Sequence, residues 1–196
     1  MSKLSTYSAW VLTAAAVAGG IWLLRRGRGS IPTLVNERYN MEENTKLPLG
    51  YRSNNPLNIR YRVGNNWLGK VFPPASGKYG LYERFKDLTY GYRAALVLLR
   101  NKGYILGGLN TIRKIITKWA PEDDHNYTQS YIENVSRLTG IDPDTVIFRN
   151  DRSALSKIVY AMSIVENGYK DTDGNSIADT YGLPNMEIIN KAWDLI

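Results

Sequence analysis

Glu166 is the side chain in this chain best placed to do acid chemistry. It stands in Ala161-Met162-Ser163-Ile164-Val165-Glu166-Asn167-Gly168, at the end of an apolar helical run. A carboxylic acid among apolar neighbours resists ionisation, because burial disfavours the charged form. A general acid has to keep its proton near neutral pH, and such surroundings allow that. The position also suits a solvated glutamate in a last helical turn, where the helix dipole makes a carboxylate mildly unfavourable.

Asn54, Asn55 and Asn58 are the candidates for substrate binding. They lie in Arg52-Ser53-Asn54-Asn55-Pro56-Leu57-Asn58-Ile59-Arg60. Amides both donate and accept hydrogen bonds, which suits sugar hydroxyls and N-acetyl groups. Turn chemistry around Pro56 is the plainer account of the same residues. Tyr131, in Thr128-Gln129-Ser130-Tyr131-Ile132-Glu133-Asn134-Val135, shares a helix face with Thr128 and Val135. Its hydroxyl is able to reach a cleft or to sit in a core. If acid, amides and phenol serve one substrate, the helix of Glu166 must pack beside the 54–60 segment and the Tyr131 helix.

Other groups carry less. The run Asp171-Thr172-Asp173-Gly174-Asn175-Ser176 hints at a calcium loop, but the register with Gly174 sixth puts Tyr169 first and Thr180 twelfth, and neither supplies the carboxylate that loop requires. It reads as a solvated polar turn. Glu83 and Glu187 have no distinguishing context. The chain has no Cys and one histidine, His125, so thiolate and multi-histidine metal sites are excluded. No metal site and no cofactor are implied.

The elements that position these residues follow from the apolar spacing. Between 57 and 85, Leu57, Ile59 and Tyr61 alternate with polar residues, and Tyr79, Leu81, Glu83 and Phe85 form a second odd-numbered set. Gly64, Gly69, Pro73, Pro74 and Gly77 punctuate between them, which predicts a small hairpin-like lobe. Five helices follow. One covers 92–102 and is capped by Gly103. A second carries Ile112, Ile115, Ile116 and Trp119, and Pro121 stops it. The third spans 128–139, before Gly140. Asp142 and Pro143 form a short turn, and Asp151 or Ser153 opens the helix of Glu166, which ends before Gly168. The last starts at Pro184. The pattern is α+β, mainly α.

Residues 1–28 read as a membrane anchor with a basic flank, and 29–49 as a linker. The run 7–24, from Tyr7 to Leu24, carries no charge and, as a helix, is about 27 Å long, close to the hydrocarbon thickness of a bilayer. Tyr7, Trp10 and Trp22 lie near its ends, as interface rings do, and Arg25, Arg26 and Arg28 follow. A buried core helix and a signal peptide cleaved after Ala18 are the alternatives, though the apolar run continues past that cleavage point. Arg residues after the span lean towards a domain on the inner side. Glu37, Glu42 and Glu43 read as solvated charges before the domain. Residues 50–196 form one domain with one core.

Composition fits a carbohydrate or nucleobase surface: there are 14 Tyr and five Trp, whose rings pair a flat face with a polar edge. The net charge is +7 with a pI near 9.5, which fits an anionic partner. Much of that excess sits beside the anchor, so nucleic acid is a weak expectation for the domain itself.

The run Asn54-Asn55-Pro56-Leu57-Asn58-Ile59-Arg60, then Trp67-Leu68-Gly69, Phe85, Gly91-Tyr92-Arg93-Ala94, Trp119-Ala120-Pro121 and Glu166-Asn167-Gly168 resembles phage virion proteins with a lysozyme-like, peptidoglycan-degrading domain. The Tyr131 segment is similar to that of soluble lytic transglycosylases, and 54–67 is similar to a stretch of flagellar-type glucosaminidases. In those families the catalytic Glu comes first in the chain. Here the best Glu comes last, so the order looks circularly permuted. Glu43 would keep the unpermuted order but lacks an apolar helix.

The resemblance implies a lysozyme-like fold with a small β lobe and cleavage of the β-1,4 bond between N-acetylmuramic acid and N-acetylglucosamine. Glu166 would be the acid, the three asparagines would orient sugars, and Tyr131 would hold the acid or the N-acetyl group. It further implies glycan strands as substrate, a membrane reached through 7–24, other virion proteins as partners, and a place in a virion inner membrane or host envelope. Two rivals stay open: a non-catalytic virion structural protein that keeps the fold, and a membrane-tethered nucleic-acid-binding protein.

Overall fold

The computed structural model describes residues 45–124 and 126–196. The expected anchor over 7–24 and most of the expected linker lie outside the described residues. Among the described residues no helix is long and apolar enough to cross a membrane.

Seven α-helices and a two-stranded sheet make up the described regular structure, together with two short 3-10 turns. The helices are α1 (Leu49–Arg52), α2 (Leu88–Arg100), α3 (Ile112–Trp119), α4 (Thr128–Thr139), α5 (Arg152–Asn167), α6 (Ile177–Tyr181) and α7 (Met186–Trp193). The strands are β1 (Ala75–Gly77) and β2 (Gly80–Tyr82), antiparallel, with Ala75 opposite Tyr82 and Gly77 opposite Gly80. This is an α-rich α+β domain.

Local chemistry explains most boundaries. Asp151 accepts from the Ala154 amide at 2.9 Å and opens α5, and Gly168, at φ 75°, closes it. Thr111 caps α3, and Gly140, in the left-handed region, ends α4. The second helix begins earlier than its apolar period predicts, because Asp87 caps it through the Thr89 amide at 2.8 Å. It also ends earlier: Asn101 turns extended, and its side chain takes the Gly103 amide at 2.7 Å. Gly103 is therefore not the cap. Asn185, rather than Pro184, caps α7.

The residues just before the expected domain start at 50 already pack with the domain. Leu47 is 1% exposed and the Lys46 carbonyl accepts from the Thr172 amide, so the end of the expected 29–49 linker belongs to the core. The β lobe is also smaller than the alternation predicts. Leu57, Ile59, Glu83 and Phe85 point inward, but Tyr79 and Leu81 are exposed. The 57–61 stretch joins the hairpin through a bridge between Arg60 and Tyr82.

The core sits where α2, α5 and α7 pack on one another, with α3 and α4 closing one side through α5. In α3, Ile112, Ile115 and Ile116 are fully buried, each contributing about 1.5–3 kcal/mol by leaving water. Met162, Ile158 and Val159 make α5 the central helix. Its C-terminal turn emerges beside the Asn54 turn and the end of α3, which is where the candidate acid lies.

Candidate active site

Glu166 is partly exposed, and its carboxylate is held by three neutral donors. Oε1 accepts the Trp119 indole N–H at 3.0 Å and the Tyr131 hydroxyl at 2.9 Å; Oε2 accepts the Asn58 amide at 3.0 Å. Three segments far apart in sequence therefore meet on one acid. The packing required of α5, the Tyr131 helix and the 54–60 segment is present.

Each partner is set by its own element. Asn58 sits at φ 49°, a left-handed turn conformation that Asn tolerates. That turn aims its side chain at the end of α5. Tyr131 is buried on the inner face of α4. Trp119 is the last residue of α3, and the following carbonyl, of Ala120, accepts the Thr128 hydroxyl at 2.6 Å. This bond ties the end of α3 to the start of α4 and so fixes the indole relative to the phenol. The Trp119 ring also stands 6.1 Å from that of Tyr104.

Asn167 clamps the end of α5. Its amide donates to the Pro56 carbonyl at 2.7 Å and to the Ser163 carbonyl at 2.8 Å. Gly50 makes room for it: a Cβ there would stand 2.3 Å from Asn167 Oδ1 and 2.9 Å from Asn58 Oδ1. Glycine is thus required by close approach, not by backbone conformation.

Burial pushes the Glu166 carboxyl above its usual range. The bonds from Asn58, Tyr131 and Trp119 and the charge of Arg60 pull the other way without cancelling it. Burial, together with the Glu166 charge, holds the Tyr131 phenol well above its usual range, so it stays a neutral donor. The bonds also place the proton. An ionised carboxylate oxygen has two in-plane lone pairs. Both on Oε1 are taken, by Trp119 and Tyr131, and Oε2 has one to spare beside Asn58. With the phenol donating to Oε1, a protonated Glu166 carries its hydrogen on Oε2 and can give it from there.

The asparagines divide differently from the sequence expectation. Asn54 and Asn55 do not line the acid. Asn54 is buried, with its amide on the Phe85 carbonyl at 3.1 Å. Asn55 is fully buried: it donates to the Ile59 and Glu83 carbonyls at 3.0 and 2.9 Å and accepts from the Ile59 amide at 3.0 Å. Both hold the turn and the β lobe together. Asn58 does reach the site, but its donor is spent on Glu166 rather than turned outward to a sugar.

Asp171 is not solvated either. It is buried and accepts from the Asp173 and Asn175 amides, the Asn175 side chain and the Tyr181 hydroxyl. Burial would raise its pKa, but these bonds prevail and hold it below the usual carboxylate range. It knits the 171–176 turn to α6. Glu83 is a buried ion pair with Lys70 at 3.0 Å. No second carboxylate bonds to Glu166 or to its three donors among the described residues. Two surface hollows open elsewhere. One, of about 570 Å3, lies at Trp67, Phe72, Lys86 and Arg93; the other, of about 320 Å3, lies at Glu122, Asn126, Tyr127 and Gln129.

Sequence reasoning did not place Trp119, Asn167 or Gly50 in the site. Trp119 carries the apolar period of α3 and reads as core; only its place in the Trp119-Ala120-Pro121 segment of the family resemblance marked it. Fold and site together define an α-rich domain that presents one acid, held by neutral donors, at the junction of a central helix and a small β lobe. No family model matches the chain. Its sequence is 33% identical over 144 residues to Protein P5 of Pseudoalteromonas phage PM2, covering 72% of this chain and 79% of that protein. The chain belongs to the family of this phage protein.

Proposed function

We propose that this domain cleaves the glycan strands of peptidoglycan, with Glu166 as general acid, in a lysozyme-like arrangement. One observation carries the reading: a partly exposed carboxyl, raised in pKa by burial, is oriented by three neutral donors that leave Oε2 for the transferable proton. Neutral donors orient an acid without supplying the charge that would strip its proton.

In this reaction Glu166 Oε2 gives its proton to the oxygen between N-acetylmuramic acid and N-acetylglucosamine as the C1–O bond breaks. The substrate's N-acetyl group supports the positive charge at C1. The 6-hydroxyl of the same sugar then attacks C1, and Glu166 takes the hydroxyl proton back. The product is a 1,6-anhydro sugar, and atoms balance without water. Trp119, Tyr131 and Asn58 hold the carboxylate formed in between.

The cellular setting is part of the same proposal, supported by the apolar run 7–24 and by the likeness to a phage protein. The enzyme belongs to a phage particle, is anchored through 7–24 in a virion or host membrane, and opens the wall during entry. The decisive experiment is digestion of purified wall by the full chain, with mass analysis of the fragments. Fragments that vanish with Glu166→Gln support the proposal; an intact wall overturns it.

A second reading rests on the same bonds. A carboxylate tying α3, α4 and the Asn54 turn to α5 also serves as a structural pin. A non-catalytic virion protein would show no wall digestion and would lose much of its stability in Glu166→Gln.

A further inference from the structure

The larger hollow lies on the β lobe, at the start of α2, and no step above uses it. Its walls are Trp67, Leu68 and Phe72, and its cations are Lys70, Lys86 and Arg93. No acidic residue lines it. Its volume of about 570 Å3 falls within the range of sites that take small ligands, roughly 300–1,000 Å3. Leu68 is 51% exposed and Phe72 77%, so the wall stands open to solvent, and the buried Trp67 indole N–H has no hydrogen-bond partner within the protein. Exposed apolar groups of this size beside the cations of Lys86 and Arg93 are an interaction feature, not a folding one.

The cations are not equivalent. Lys70 is neutralised by buried Glu83 at 3.0 Å. Arg93 uses its Nε on the Leu195 carbonyl, and its remaining guanidinium N–H groups suit a carboxylate. Lys86 is exposed. The floor is built rather than incidental. Gly69, at φ 74°, lies against the Tyr90 ring, so close that a Cβ would stand 2.2 Å from it. The Gly69 carbonyl accepts the Lys86 amide at 2.9 Å.

A short run of chain links the hollow to the acid. Asn54 donates to the Phe85 and Lys86 carbonyls at 3.1 and 3.4 Å, and Asn58 donates to Glu166 at 3.0 Å. These asparagines are four positions apart, so their Cα atoms lie at most about 14 Å from each other.

We infer that this hollow takes an acidic peptide with small apolar side chains, of the kind a peptidoglycan strand carries on its muramic acid. The inference rests on the proposed function for its substrate and adds the part of that substrate recognised away from the cleaved bond. Peptide carboxylates meet Lys86 and Arg93, and the small side chains lie against Trp67, Leu68 and Phe72.

The test is calorimetric titration of the full chain, carrying Glu166→Gln to prevent turnover, with a synthetic stem tetrapeptide. The same peptide with amidated carboxylates is the control. Binding should weaken at least tenfold on amidation, at least tenfold in Lys86→Gln/Arg93→Gln, and several-fold in Phe72→Ala, each variant melting at the temperature of its parent. In digestion, the rate ratio of peptide-bearing to peptide-stripped strands should fall in the double variant. Equal binding of both peptides, no binding at millimolar peptide, or tight binding of DNA or anionic vesicles lost in the same variant would overturn the inference. If no strand is digested, the catalytic reading fails while the peptide titration still decides this one.

Discussion

The Trp119 indole nitrogen lies 3.0 Å from Oε1 of Glu166 across 47 residues of chain. An indole N–H only donates, so it supports the carboxylate more than the acid. The contact therefore tunes when Glu166 holds its proton as well as where the carboxyl points.

Trp119→Phe keeps a ring against Tyr104 and deletes the donor. The Glu166 pKa should rise further, because one of the bonds that lowers it is gone. The alkaline limb of the rate profile should move to higher pH. Stability should fall by about 1–3 kcal/mol, from the lost bond and the smaller ring. Denaturant unfolding and a pH–rate profile read both; a shift of the limb to lower pH would contradict the donor role.

Glu166→Gln should lower wall digestion by about 10²–10⁴-fold, the usual weight of a positioned acid. It should also alter the pH dependence of stability. Because the folded pKa lies above the unfolded one, the native state binds more protons between the two values. Wild-type stability is then fully present below the unfolded value and is lost as pH rises through the folded one. The melting temperature of Glu166→Gln should gain on wild type across that window and run parallel on either side. Calorimetric melts at a series of pH values check this, and a Glu166→Gln melting temperature that falls relative to wild type as pH rises through the window would reverse the sign of the shift.

Asn55→Ala should behave as a folding variant. It removes a fully buried amide and leaves the Ile59 amide and carbonyl and the Glu83 carbonyl without it. The expected cost is about 2–5 kcal/mol, since each buried group left unpaired costs roughly 1–3 kcal/mol with partial relaxation. The fraction that stays folded should keep the wild-type KM for glycan strands. A raised KM in a variant of unchanged stability would restore Asn55 to the sugar.

The product should carry 1,6-anhydro ends. Two-carboxylate glycosidases use the second carboxylate as nucleophile or base, and here Asp171 is consumed by its own turn and Glu83 by Lys70. Anhydro ends are lighter than hydrolysed ends by one water. Reducing ends alone, with Asp173→Asn inactive, would identify a second carboxylate in the exposed part of that turn.

Much of this protein was legible in its sequence for a local reason. Helix periods and caps depend on hydrogen bonds that close within a few residues. Asp151, Gly168 and Gly140 could therefore mark boundaries, and an acid at the end of an apolar helix could be recognised from its neighbours. Tyr131 was legible in the same way, as a residue on the inner face of its helix.

What the amides do was not local. Asn54, Asn55 and Asn58 have the same chemistry within five positions, yet two serve buried backbone and one holds the acid. Which face of the turn each side chain leaves by was decided by Gly91 packing under the Asn54 carbonyl and by Asn167 reaching Pro56 across 111 residues. Trp119 looked like core because its ring is core; only the docking of α3 against α4, secured by Thr128 on Ala120, and of α4 against α5 turned its N–H to Glu166. Side-chain donors satisfy backbone, acid or ligand equally well, so their partner is chosen by long-range packing, and that choice exists only in the folded chain.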